Sequence, residues 1–169
     1  MNWEVIGATG EWAGALVVVA TLFFLAKQIG LSNRIALAEG DRVFMESWQD
    51  AVTNCGSDTD TGSLMARGFQ DYVGLSQPEK AVFHTRAAGL INKADMGVRL
   101  ADRGMLTREV IDTILDVCAG VVVSGGGAQW WEENGAMFTL HGTLNEWLTK
   151  KDRHFPVVTE VSAWKVEQP

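Results

Sequence analysis

Several stretches carry residue types that do chemistry, and each lacks part of what that chemistry would need. Residues 54–62 (NCGSDTDTG) place Asp58 and Asp60 two positions apart, as at the start of a calcium loop. Ser63 stands where the loop glycine of an EF-hand would fall, and Phe69 where its closing glutamate would fall. Asp58 therefore reads as a turn residue and helix N-cap. Residues 120–127 (GVVVSGGG) superficially resemble a phosphate-binding turn, but the Lys-Ser/Thr of a P-loop and the third spaced glycine of a dinucleotide site are missing. No βαβ pattern surrounds them, and the reading is a helix end followed by a flexible connector.

His84, His141 and His154 lie at no metal-ligand spacing to one another, to cysteine or to carboxylate. His84 reads as a solvated or hydrogen-bonded side chain. Cys55 and Cys118 share no close-spaced motif, so a disulfide framework is not expected, and free thiols suit a reducing compartment. Cys118 falls on an apolar helical face, as a core residue does. Cys55 falls in a loop, with no neighbouring base to activate it. The serines sit in caps and loops, without a nucleophile elbow. Lys150, Lys151, Arg153 and His154 form a basic cluster that reads as a solvated face, with anionic lipid as the alternative. The expectation is a protein that is not an enzyme, with no catalytic, cofactor-binding or metal residues and no cofactor.

The elements that would position such residues are helices. The chain has 169 residues, enough for an anchor and one modest domain, and a formal charge of −7, which disfavours nucleic acid as a partner. Residues 12–26 (WAGALVVVATLFFLA) carry no charge. Extended to about 3–29 they reach bilayer length, with Trp3 at one interface and Lys27 snorkelling at the other. A signal peptide would want a basic start and a small-residue cleavage site, whereas this start is acidic. A buried soluble helix is the other rival. The positive-inside rule, applied to Lys27, Arg34 and Arg42, places the N-terminus outside and the rest in the cytoplasm.

Gly7, Gly10, Gly14 and Thr21 recur at spacings of three, four and seven. With Glu4 and Glu11 beside them they define a candidate face for docking another transmembrane helix. The bland alternative leaves Glu11 wet among the outer headgroups.

Beyond the anchor, Leu37, Phe44, Trp48 and Val52 keep helical spacing, with Gly30 or Gly40 as candidate kinks. A short helix is expected over 64–73, with Leu64, Met65, Phe69 and Tyr72 inward. Ser76-Gln77-Pro78-Glu79 is a capping box that opens the clearest helix, striped by Phe83, Ala87, Leu90, Ile91, Ala94, Val98 and Ala101 and ended by Gly104. Thr107 caps the next, with Val110, Ile111, Ile114, Leu115 and Cys118 inward. Trp130 and Trp131 belong to a short helix stopped by Gly135, and a last helix is expected over 143–151 with Leu144, Trp147 and Leu148 inward. The predicted architecture is all-α: a transmembrane anchor over 1–30, a helical cytoplasmic bundle over 31–151 and an irregular tail over 152–169.

Four stretches resemble a widespread family of uncharacterised bacterial proteins with one N-terminal membrane helix and a small helical cytoplasmic domain. They are residues 3–29 (WEVIGATGEWAGALVVVATLFFLAKQI), 66–83 (ARGFQDYVGLSQPEKAVF), 104–107 (GMLT) and 129–138 (QWWEENGAMF). The chain departs from that pattern at Lys80, at Ala87, Ala88 and Gly89, and at GVVVSGGG. Such departures imply surfaces buried against a partner. The resemblance implies an architecture and carries no activity.

The expected function is a non-enzymatic, membrane-anchored interaction protein: an accessory, scaffold or assembly subunit of a larger bacterial inner-membrane complex. Its partners would be the lipid bilayer and other transmembrane subunits or copies of itself. Seven tryptophans support contact surfaces, with Trp130, Trp131 and Trp164 as candidate partner contacts. The alternative is a membrane-tethered sensor or regulator. Its bundle would bind a soluble partner or a small apolar ligand between residues such as Phe83, Leu90, Ile114 and Trp130. An enzyme of unrecognised type, and a pore lined by Glu4 and Glu11, complete the range.

Overall fold

A computed structural model describes the backbone of residues 3–149, and the side chains of Trp12 and of residues 14–149. The expected irregular tail lies outside the described residues, and with it Lys150, Lys151, Arg153, His154 and Trp164. All described elements are helical. In order they are α1 (Trp3–Asn54), α2 (Thr59–Gln70), α3 (Gln77–Asp102), α4 (Arg108–Val123), α5 (Gly125–Asn134), a 3-10 turn (Gly135–Met137) and α6 (His141–Leu148). The all-α expectation stands. Packing divides the chain into two units, Met1–Glu39 and Gly40–Pro169.

The first unit is the N-terminal part of α1. That helix continues unbroken through Gly30 and Gly40 to Asn54. Its apolar run carries no proline and no cap, so nothing local ends it.

The second unit begins where α1 meets the α3–α4 corner. A Cβ on Gly40 would stand 2.7 Å from the Met105 carbonyl oxygen. Asp41 accepts a 2.9 Å hydrogen bond from the Thr107 backbone N–H, which is otherwise an orphan donor at the start of α4. Phe44 and Trp48 are buried, and Val52 is half-buried, on one stripe of α1. Lys93 of α3 donates to Ser47 and lies 5.8 Å from the Phe44 ring centroid.

Asp58 caps α2, its side chain accepting from the Thr61 backbone N–H at 2.8 Å. The helix therefore starts at Thr59, earlier than the expected 64, because the cap satisfies a first-turn donor and admits Thr59–Gly62 to the helix. Met65 and Phe69 point inward, as does Tyr72 in the following turn.

The capping box forms. Glu79 Oε2 accepts from the Ser76 backbone N–H at 2.9 Å and from Ser76 Oγ at 2.7 Å, and Pro78 occupies the first turn of α3. Arg67 of α2 pairs with the other oxygen of Glu79 at 2.5 Å, so one carboxylate both caps α3 and ties it to α2. At the far end Gly104 takes φ +72. The Gly104 and Met105 N–H groups donate to Ala101 and Leu100, the paired bonds of a Schellman motif. The expected stripe of α3 faces the core, with Phe83, Ala87, Leu90, Ile91 and Ala94 buried.

Candidate functional site

Among the described residues, the most exposed apolar surface is on α1. Leu16, Val17, Val18 and Val19 are 66%, 65%, 57% and 64% exposed. Successive helical residues are about 100° apart, so these four cover most of the circumference. Leu22, Phe23, Phe24, Ile29 and Leu31 are exposed as well. An amphipathic helix on a soluble domain would bury one stripe and expose a polar face. This one presents hydrocarbon all round, has a mean hydropathy of 1.9 and is 0% buried over its most apolar window. Residues 14–31 alone extend about 27 Å, close to a bilayer's hydrocarbon thickness. The helix is long and apolar enough to cross a membrane.

Of the residues expected on its docking face, Gly14 has nothing beyond its own stretch of helix within 4 Å of where a Cβ would stand, and so leaves an open notch. Thr21 lies on the same side, seven residues on. Its Oγ1 donates to the Val17 carbonyl at 2.8 Å, which satisfies the hydroxyl within the helix. Glu4, Gly7, Gly10 and Glu11 occupy earlier turns of α1. Their side-chain surroundings lie outside the described residues.

Two candidate partner contacts are core residues. Trp130 is fully buried and Trp131 is 8% exposed, so on this chain neither offers the exposed anchor expected of it. They sit in a continuous run of rings. Phe83 meets Phe69 and Tyr72 at 5.2 and 5.4 Å and Trp130 at 6.3 Å. Trp130 meets Trp131 at 6.0 Å, and Trp131 stacks on Phe138 at 5.9 Å and lies 5.4 Å from His141. Burial of an indole requires a partner for its N–H. Trp130 Nε1 donates to His84 Nδ1 at 3.2 Å, Trp131 Nε1 to Asn145 Oδ1 at 3.1 Å, and Trp147 Nε1 to Asp116 Oδ1 at 2.9 Å. These tryptophans are thus spent on joining α3, α4, α5 and α6, and His84 has the hydrogen bond expected of it.

The glycine run is no flexible connector. Ser124 alone separates α4 from α5, and the chain turns by 96° there. Ser124 is fully buried, donating through Oγ to the Val121 carbonyl at 2.7 Å and accepting from the Gly127 N–H at 3.1 Å. A Cβ on Gly126 would stand 1.8 Å from the Gly68 carbonyl oxygen, and one on Gly127 1.8 Å from that of Val121. The glycines let α5 lie against the backbone of α2. Of the positions expected to be buried against a partner, Ala87, Gly120, Val121, Val122, Ser124, Gly126 and Gly127 are buried within the chain, Lys80 and Ala88 are half-buried, and Gly89, Val123 and Gly125 are exposed.

Cys118 is buried on α4, and burial pushes its thiol up to about 12. Cys55 is 9% exposed, with Sγ 3.5 Å from the Ala51 carbonyl. Burial raises its pKa, although the charge of Arg86 pulls the other way. Both thiols are protonated at neutral pH, and the loop position expected for Cys55 leaves it covered. Phe83, Leu90, Ile114 and Trp130, the expected lining of an apolar pocket, are all 5% exposed or less and pack in the core.

An open groove that the sequence reading did not single out lies between the start of α3 and the end of α5, with a volume of about 560 Å³. Tyr72, Lys80, His84 and Glu133 bound it. Lys80 Nζ sits 5.1 Å from the Tyr72 ring centroid. Burial, and then the charge of Glu133, raise the Tyr72 phenol above its ordinary value. Gln77, Lys80, Ala81 and His84 follow helical spacing, and that was the available sequence signal; the opposing Glu133 is brought in only by the fold.

Comparison with family models, with curated proteins and with solved structures finds no match to this chain.

Proposed function

We propose that the protein is a non-enzymatic, membrane-anchored interaction protein: an accessory, scaffold or assembly subunit of a larger complex in a bacterial inner membrane. On this reading α1 crosses the bilayer with its N-terminus outside, and the bundle lies in the cytoplasm. The observation that carries it is the uninterrupted apolar circumference of residues 16–25 on a helix continuous with α1's buried Phe44 and Trp48. Monomeric soluble proteins rarely expose such a surface. Lipid covers it without cost, and within lipid the notch at Gly14 permits the close helix approach on which association depends.

The interior supports the same reading. The titratable and aromatic side chains that drew attention in the sequence are used for structure: His84 and Asn145 accept from indoles, Glu79 caps α3, and the thiols are covered. The bacterial family resemblance belongs to this proposal.

The test is size in mild detergent. Native membranes are solubilised and separated on a sizing column, and the protein is followed by mass spectrometry. Co-migration with a large complex of other polypeptides supports the proposal and names the partners. Migration as a lone monomer overturns it.

A further inference from the structure

The groove between the start of α3 and the end of α5 gathers charged and polar side chains from two helices. Gln77, Lys80, Ala81 and His84 recur three and four apart, so α3 turns one face to it, and Glu133 of α5 and Tyr72 also bound it. We propose that this groove binds a small zwitterion of amino-acid size, its anionic end held by Lys80 and His84 and its ammonium end by Glu133.

Charge placement is the first argument. Lys80 and Glu133 come from different helices and bracket one residue: Lys80 lies over the Tyr72 ring, and the Glu133 charge acts on the Tyr72 hydroxyl. Among the described residues neither forms a salt bridge. A simple anion drawn to Lys80 meets the repulsion of Glu133, and a simple cation meets the reverse. A molecule carrying both charges satisfies both.

His84 supplies the second argument. Its Nδ1 accepts a hydrogen bond from the fully buried Trp130 indole, which leaves Nε2 to carry the ring N–H. With one edge of the ring committed to the core, the other is a fixed donor for the groove. A donor there matches an anionic oxygen, and the hydrogen bond to Trp130 orients it in the way outer partners orient ligand-binding histidines.

Size is the third. A volume of about 560 Å³ leaves ample room for a molecule of amino-acid size. The groove is open and its wall is polar, so water competes for every contact and binding should be weak, with Kd of about a millimolar. The inference stands apart from the membrane reading, since every group in it belongs to the bundle.

The experiment uses the full chain in a non-ionic detergent, with the tryptophan indoles labelled with nitrogen-15. The indole resonance of Trp130 reports directly on His84. The probes are β-alanine and O-phosphoethanolamine, with acetate and ethanolamine as single-charge controls. The inference predicts a saturable shift of the Trp130 indole resonance with one or both zwitterions. The tighter of the two identifies the anionic end as carboxylate or phosphate. Acetate and ethanolamine should bind more weakly, and Lys80→Gln and Glu133→Gln should each weaken zwitterion binding by about fivefold or more. Both variants change exposed or half-buried side chains, and unchanged spectra of the other indoles confirm their folds. No shift with either zwitterion up to about 100 mM, binding unaffected by both substitutions, or acetate binding as tightly as the zwitterions overturns it.

Discussion

Gly126 at the start of α5 lies against Gly68 of α2 so closely that a Cβ on it would stand 1.8 Å from the Gly68 carbonyl oxygen and 2.7 Å from the Tyr72 nitrogen. The obstacle is backbone, which cannot swing aside as a side chain tip can. Gly126→Ala should therefore destabilise the bundle by about 3 kcal/mol or more, at the upper end of what overpacking costs. Gly89, exposed within α3 with nothing within 4 Å, is the counterpart. Gly89→Ala should stabilise by about 0.5–1 kcal/mol, through helix propensity alone. Denaturant unfolding of the two variants, followed by tryptophan fluorescence, reads opposite signs.

The Glu79 carboxylate sets an acid limit on the α2–α3 junction. The Ser76 side chain, the Arg67 side chain and the Ser76 backbone lower its pKa from 4.5 to about 2. A depressed carboxylate contributes stability that is present above its unfolded value and is lost as pH falls through its folded value. The contribution should thus be whole above about pH 4.5 and vanish towards pH 2. Glu79→Gln should flatten the pH dependence of stability across that window and leave its shape above pH 5 unchanged. Thermal melts at a series of acidic pH values check this.

Neither thiol should react while the protein is folded. Cys118 is 1% exposed with its pKa near 12, and Cys55 is 9% exposed with its pKa raised by burial. At neutral pH, maleimide should label both at least about tenfold more slowly than a free cysteine, because the thiolate is the nucleophile. Denaturant should release two equivalents, which intact-mass measurement counts directly.

What the sequence made legible was what local chemistry decides. Ser76, Pro78 and Glu79 announce a helix start, and Gly104 its end. Phe83, Ala87, Leu90, Ile91 and Ala94 announce a buried face, and each does so within a turn or two of the backbone it governs. The misreadings come from interactions distant in sequence. Ser124 and its three glycines look like a flexible connector by propensity. Contact with Gly68 and Gln70 instead makes them the tight start of a helix. Trp130 and Trp131 look like contact anchors by type. Their burial is settled by His84 and Asn145, 46 and 14 residues away. The groove was missed for the same reason, since no spacing in the chain links Glu133 to Lys80.

If one side of α1 docks another transmembrane helix, as proposed, substitution at Gly14 has a directional effect. Gly14→Leu fills a notch that is empty to 4 Å. On the proposed function it should release the protein from a larger complex while leaving the bundle's unfolding midpoint unchanged, because no residue of the core cluster lies near that end of the sequence. Sizing in mild detergent and denaturant unfolding, run on the same preparation, separate the two effects.

The central claim, that one side of a lipid-embedded α1 meets another transmembrane helix, is tested most directly by photocrosslinking in the native membrane. A photoreactive amino acid is placed at position 21, on the side of Gly14, and separately at position 23, about 200° around the helix. Position 21 should give a discrete polypeptide adduct and position 23 lipid adducts alone. Lipid adducts alone from both positions, or protein recovered in the soluble fraction with no lipid adduct, would contradict it.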